Sequence, residues 1–220
     1  MEPRILFTKE LPKAYIQQKL GDGFELFFLP VIGFRSSSEI MDTRDCHHFV
    51  FTSIQGVRSV EGKINFPENT KCYTVGEKAR EALKGLGLSV EITAKNAQEL
   101  SSKMKNCMRP TKIMHFCGSK ALPTLKQELT AAGFEWIENV VYETILLYPE
   151  WHKPTEALVF FSPSGVESFL KKNKINHQRL FAIGETTAKF LRNLSSNKVI
   201  TSKKETLEDL LQVIKDNYND

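Results

Sequence analysis

Apolar residues follow two rhythms along this chain. Short unbroken runs, such as Ile5–Thr8, Glu25–Leu29, Phe49–Thr52, Cys72–Val75 and Val90–Thr93, have the length of strands. Between them, from Leu11, after Ser53, after Gly76 and from Gln98, apolar residues recur at helical spacing. The same alternation begins again at Ile113. A run such as "ALVFF" is apolar throughout, as expected of a strand covered by helices on both faces. Strand-helix alternation of this kind predicts parallel sheets joined by right-handed crossovers.

The pattern is duplicated. "FVFTSIQGVRSV" from Phe49 and "LVFFSPSGVESFL" from Leu158 pair Val50 with Val159, Ser53 with Ser162 and Gly56 with Gly165, an offset of 159 − 50 = 109. "CYTVGEKAREAL" at Cys72 matches "LFAIGETTAKFL" at Leu180, with 184 − 76 = 108. "EITAKN" at Glu91 matches "VITSKK" at Val199, and "GFE" at Gly23 returns at Gly133. Upstream of these lie "FTKELP" at Phe7 and "CGSKALP" at Cys117. Several landmarks at nearly one offset predict an α/β protein of two doubly wound parallel-sheet domains.

Composition changes this picture little. With 41% hydrophobic and 25% charged residues over 220 positions, a packed fold is expected rather than disorder. The longest apolar runs are strand-sized, which argues against a membrane span, and the start of the chain shows no secretory signal. The four cysteines, Cys46, Cys72, Cys107 and Cys117, form no CxxC pair and no disulfide framework, so a reducing cytoplasm is expected. A net charge of +4, from 30 basic and 26 acidic residues, is no nucleic-acid footprint. Lys171, Lys172, Lys174, Lys203 and Lys204 read as solvated loop and helix-end residues, or as a field for a polyanionic small molecule.

In open parallel sheets ligands bind beyond the carboxyl ends of the strands. Ser53 and Ser162 follow apolar strands and can cap the next helices. Gly76-Glu77, Gly184-Glu185-Thr186-Thr187, Cys117-Gly118-Ser119 and Thr8-Lys9 occupy junctions of the same kind. Each is an ordinary cap or a place for a carboxylate or phosphate. Two opposed rows of such ends could grip a ligand with many anionic groups. No GxGxxG or GxxxxGK[ST] loop, HExxH or paired-cysteine spacing occurs, so no dinucleotide, P-loop or metal site is expected. Cys46-His47-His48 reads as strand entry, and Trp136 and Trp151 as packing residues.

Four blocks, "VFTSIQGV", "FFSPSGV", "AIGETTAKFL" and "CGSKALPTLKQELTAAGF", together resemble the uroporphyrinogen-III synthase family. The resemblance runs over nearly the whole chain. It implies two flavodoxin-like domains: residues 1–33 with 148–220 in one, 36–144 in the other, and 30–35 with 141–147 as linker strands. It implies closure of hydroxymethylbilane, a linear tetrapyrrole, to uroporphyrinogen III with loss of water and inversion of ring D, without metal or organic cofactor. It also implies a monomer, with transient contact to hydroxymethylbilane synthase and no nucleic-acid or membrane partner. Carried over by position, Tyr142 in "VVYETI" matches the tyrosine assigned to assist loss of the hydroxyl. Ser53, Ser162 and Thr186 match substrate-contacting caps, and Arg179 stands where the family often has lysine, so positive charge is kept; Thr8, Lys9, Gly76, Cys117, Gly118, Ser119, Ser164 and Thr187, at or beside the same junctions, are candidate substrate-binding residues with them. "VGEKAR" departs from the usual "VGxxTA", with Lys78 and Ala79 where a threonine is expected. Two other readings share these features: a non-catalytic two-lobed polyanion sensor, and a flavin protein of similar fold.

Overall fold

The computed structural model describes residues 2–39 and 42–218. The chain divides into two compact units. One is split in sequence, Met1–Gly33 with Ile145–Asp220; the other is continuous, Phe34–Thr144.

The split unit begins with β1 (Arg4–Phe7), α1 (Lys13–Leu20) and β2 (Glu25–Phe28). The chain then enters β3 (Ile32–Ser36) and the continuous unit, which runs β4 (His48–Phe51), α2 (Ile54–Val60), β5 (Lys71–Val75), α3 (Glu77–Gly85), β6 (Ser89–Ala94), α4 (Ala97–Cys107), β7 (Lys112–Gly118), α5 (Thr124–Ala131) and β8 (Glu135–Leu146). The chain then completes the split unit with β9 (Ala157–Phe160), α6 (Pro163–Leu170), β10 (Arg179–Ala182), α7 (Glu185–Arg192), β11 (Val199–Thr201) and α8 (Leu207–Asp216).

The split unit's sheet has the order β11-β10-β9-β1-β2, and the continuous unit's the order β3-β8-β7-β4-β5-β6. All four ladders of the first sheet are parallel, as are β8-β7, β7-β4, β4-β5 and β5-β6 in the second. Numbered along the chain, the split unit reads 2-1-3-4-5 across its sheet, the flavodoxin order.

Alternate residues of the central strands feed two cores, which is why runs such as Ile5–Phe7, Phe49–Phe51 and Ala157–Phe160 are apolar at consecutive positions. In the split unit Ile5, Phe7, Val159 and Phe181 pack with Ile16 and Leu20 of α1 and with Leu210, Leu211 and Ile214 of α8. Leu6, Leu158, Phe160 and Leu180 point the other way, onto Val166 and Phe169 of α6 and Leu191 of α7. The continuous unit repeats this: Phe49, Phe51 and Phe116 meet Val57, Val60 and Leu83, while Val50, Tyr73 and Ile113 meet Leu100, Met104, Leu125 and Leu129. Burying one such aliphatic or aromatic side chain stabilises by roughly 1.5–3 kcal/mol. Side chains start α4 and α8: Asn96 accepts from the Glu99 N–H at 2.9 Å and Thr206 from the Asp209 N–H at 3.2 Å. Among the described residues no helix is long and apolar enough to cross a membrane.

Candidate functional site

Each sheet has one place where the chain leaves in opposite directions from neighbouring strands. It lies between β1 and β9 in the split unit and between β7 and β4 in the continuous unit. At such a switch point the following loops diverge and leave a crevice beyond the carboxyl ends.

In the split unit Thr8 follows β1. It is buried, and both its hydroxyl (2.8 Å) and its N–H (3.0 Å) donate to the Val159 carbonyl, so it locks the two switch-point strands together. Lys9 is exposed, with Nζ 5.7 Å from the centre of the Phe161 ring. Ser162 caps α6 by accepting from the Gly165 N–H at 3.1 Å, and the Ser164 hydroxyl lies 3.1 Å from the Ser162 hydroxyl. One strand over, Gly184 opens α7, with Thr186 exposed and Thr187 buried. The Glu205 side chain closes over Gly184, where an added Cβ would meet Glu205 Oε1 at 2.6 Å. Arg179 is not brought to this edge. It is the first residue of β10, at the amino end of the sheet, where its guanidinium donates to the Asn217 carbonyl and lies 4.6 Å from the centre of the Tyr218 ring.

In the continuous unit Ser53 caps α2, accepting from the Gly56 N–H at 3.1 Å. Its Oγ also lies 3.0 Å from the Tyr142 hydroxyl. Tyr142 comes from β8, with the edge of its ring toward Phe34 at 5.5 Å between centres. Burial pushes the phenol above its ordinary pKa, and the Ser53 hydrogen bond partly opposes the shift. The phenol is therefore protonated at neutral pH. Cys117 and Gly118 end β7 and are buried; burial pushes the Cys117 thiol up to about 11, so it is no thiolate. Ser119 is exposed, its N–H donating to the Tyr142 carbonyl at 2.9 Å and its Oγ accepting from the Thr144 N–H at 3.4 Å. At the end of β5, Gly76 starts α3 with φ 84, a left-handed conformation that glycine takes without strain. Lys78 is exposed and Ala79 is buried in the core, so no hydroxyl stands in the first turn of α3.

The chemistry this edge offers is hydrogen-bond donation and one protonated phenol. Among the described residues no group of three or more His, Cys, Asp or Glu is placed to hold a metal ion. The cysteine and histidines at 46–48 turn to separate partners: Cys46 Sγ to the His48 carbonyl at 3.3 Å, His47 to the Glu68 carbonyl at 3.1 Å and His48 to the Tyr73 hydroxyl at 2.9 Å. Trp151 packs edge-on to Phe27 at 5.1 Å, and Trp136 lies 5.2 Å from the His115 ring.

Two features escape the sequence reading. His115 is buried and meets the Thr52 hydroxyl at 3.0 Å, and burial lowers its pKa to about 4. Gly118 lies directly against the Tyr142 ring. The signal for the first is a histidine between the apolar pairs of "IMHFC"; the second has no signal along the chain, because it is made by two strands.

The family model for uroporphyrinogen-III synthase HemD matches residues 14–212. Among solved structures, the fold is similar to uroporphyrinogen-III synthetase from Helicobacter pylori, with a TM-score of 0.74 at 18% identity, covering 98% of this chain and 99% of that one. It is also similar to a mutant uroporphyrinogen III synthase from Thermus thermophilus, with a TM-score of 0.64 at 19% identity and 99% of each chain covered.

Proposed function

Because the chain belongs to the uroporphyrinogen-III synthase family, we propose that it closes hydroxymethylbilane into uroporphyrinogen III, acting as a hydro-lyase that forms a ring. The observation that carries this reading is the Tyr142 phenol, held 3.0 Å from Ser53 at the carboxyl edge of the β7-β4 switch point. The pyrrole nitrogen's lone pair expels the terminal hydroxyl, which leaves as water once it gains a proton. Tyr142 supplies that proton, and Ser53, already accepting from the Gly56 N–H, donates its own hydrogen to the phenol oxygen as negative charge develops there. The methylene left behind is electrophilic and is attacked by a carbon of ring D, with inversion passing through a spiro intermediate; the proton released as ring D regains its aromaticity restores the Tyr142 phenol.

The substrate's acetates and propionates are divided, in this reading, among the starts of α3, α6 and α7 and the hydroxyls of Ser53, Ser119, Ser162, Ser164 and Thr186, with buried Thr187 packed behind Thr186 in the first turn of α7. Thr8 supports the split unit's set by joining β1 to β9, and Lys9 adds charge beside it. Free bilane closes spontaneously to the uninverted isomer, so the protein must impose a conformation as well as a rate. We assign the protein to the cytoplasm as a monomer that receives the bilane from hydroxymethylbilane synthase by transient contact.

The test is incubation with enzymatically generated hydroxymethylbilane, then isomer analysis after oxidation, with a chelator present and no cofactor added. The expected product is isomer III. Isomer I alone, at the spontaneous rate, overturns the reading.

A further inference from the structure

Gly118 has no backbone reason to be glycine. Its φ lies outside the left-handed region occupied by Gly76, Gly87 and Gly133, so an L side chain fits its conformation. What excludes a side chain is Tyr142. A Cβ built on Gly118 would stand 2.5 Å from both Cε2 and Cζ of the Tyr142 ring and 2.8 Å from its hydroxyl oxygen. Ordinary carbon–carbon contact begins at about 3.5 Å. The Tyr142 ring therefore occupies the place where a side chain at 118 would begin.

The strand pairing brings it there. Along β7 and β8 the register advances one residue for one residue from Lys112↔Glu135 to Cys117↔Val140, and then steps to Gly118↔Tyr142. One extra residue, Val141, is inserted, and its side chain is fully buried in the α2–α3 core. A bulge re-aims the side chain that follows it. Here it lets Val141 stay in the core while Tyr142 takes the place opposite Gly118. Gly118, Phe34 and Ser53 all meet the ring or its hydroxyl there, beside the core it packs against.

We propose that Gly118 is a positioning residue for the ring-closing reaction, holding the Tyr142 phenol on Ser53 by the absence of a side chain. The inference rests on the reading of Tyr142 as the proton donor, and it gives Gly118 a task other than contact with substrate. A methyl group at 118 must push the ring outward, away from β7, and separate the phenol from Ser53.

The experiment is Gly118→Ala, read in two ways. The first is the Tyr142 ring signal in protein carrying ring-¹³C tyrosine, assigned by its loss in Tyr142→Phe. Gly118→Ala is expected to shift this signal and to remove its response to Ser53→Ala. An unshifted signal overturns the proposal, whatever the activity. The second is steady-state kinetics. Gly118→Ala is expected to lower kcat about tenfold with KM changed less than about twofold. In a Tyr142→Ala background, where the ring is gone, the same substitution is expected to change kcat less than about twofold. A rise in KM with kcat retained, or an equal kcat loss in both backgrounds, overturns positioning in favour of direct substrate contact at Gly118.

If Tyr142→Phe is itself fully active, the proton-donor reading falls and the ring signal alone decides the placement. If Gly118→Ala fails to fold, the double variant Gly118→Ala/Tyr142→Ala decides. Recovery of folding supports the collision, and failure of both overturns it.

Discussion

The two units are the same sheet threaded twice, from different starting points. In the continuous unit the chain makes β4 through β8 in one pass. In the split unit the equivalents of β7 and β8 come first, as β1 and β2, and those of β4, β5 and β6 come last, as β9, β10 and β11. Across the sheet the order is identical: β6-β5-β4-β7-β8 against β11-β10-β9-β1-β2. The ladders make the match residue by residue. His115 pairs with Val50 as Phe7 pairs with Val159, and Glu138 with His115 as Phe28 with Phe7.

With that register, the differences become informative. Both units cap the first helix after the switch point with serine, Ser53 and Ser162, at the same 3.1 Å. Only one has a phenol on its cap. In the split unit the Ser162 hydroxyl is met by Ser164 at 3.1 Å instead. A shared frame of caps serves both units, while proton-donor chemistry sits in the continuous one. The core differs too, with a buried histidine in one unit where the other has phenylalanine.

The histidine gives the largest expected difference. Folded, His115 titrates at about 4; its ordinary value is 6.5. Between those values the unfolded chain binds a proton that the folded chain refuses. The contribution is therefore complete above pH 6.5 and is lost as pH falls toward 4. A shift of that size corresponds to at most about 3 kcal/mol. His115→Phe, which copies Phe7, should lose less stability between neutral and mildly acid pH than the parent. Urea unfolding of both proteins at the two pH values measures this, and equal acid sensitivity removes His115 from the explanation.

Next is the phenol. A full general acid contributes roughly 10²–10⁴-fold, but here the pyrrole nitrogen already drives the hydroxyl out. Tyr142→Phe should lower kcat about a hundredfold or less, with KM little changed and isomer III still the main product. A folded and fully active Phe variant would make Tyr142 a packing residue and erase the functional asymmetry.

The caps test the symmetry itself. Ser53→Ala and Ser162→Ala should each cost about 0.5–2 kcal/mol of stability, because each removes the same hydrogen bond to the same helix position. Thr186→Ala should weaken substrate binding by roughly 0.5–1.5 kcal/mol, the worth of one hydrogen bond among many. Chemical denaturation and titration with a tetrapyrrole polycarboxylate are the measurements. Complete loss of activity in folded Ser162→Ala would contradict a load shared among many donors.

The smallest effect belongs to the surface. Arg4 and Glu156 join the starts of β1 and β9 at 2.7 Å, half in solvent. Glu156→Gln should change stability by less than about 1 kcal/mol, and less still in high salt.

The strands, the parallel sheets and the duplication are legible in the sequence because each rests on local apolar runs repeated at one offset. The capping serines are legible because a cap is local. What escaped depends on pairing across the chain. The bulge after Cys117 is defined by which residue of β8 faces which residue of β7, and nothing within "KIMHFCG" marks it. Aligned at their prolines, "FTKELP" and "CGSKALP" would put Phe7 on Gly118, since 123 − 12 = 111 and 7 + 111 = 118, yet the ladders match Phe7 to His115, because β7 runs three residues beyond that place while β1 ends at it. Arg179 shows the limit of carrying positions over from a family. It precedes its apolar run, and the polarity of a parallel strand then puts it at the edge away from the caps.

The different threading has a consequence for how the polypeptide emerges from the ribosome. Residues of the continuous unit follow one another, and its sheet can assemble once β8 has been made. The first thirty or so residues cannot finish theirs. β1 has β2 beside it, but its other neighbour, β9, lies about 150 residues downstream. Until β9 arrives, Ile5, Leu6 and Phe7, all fully buried in the finished protein, border an open strand edge. Such an edge, waiting while about 150 further residues are made, is a natural client for a chaperone. Truncated nascent chains should accordingly protect the continuous unit from protease long before the split one.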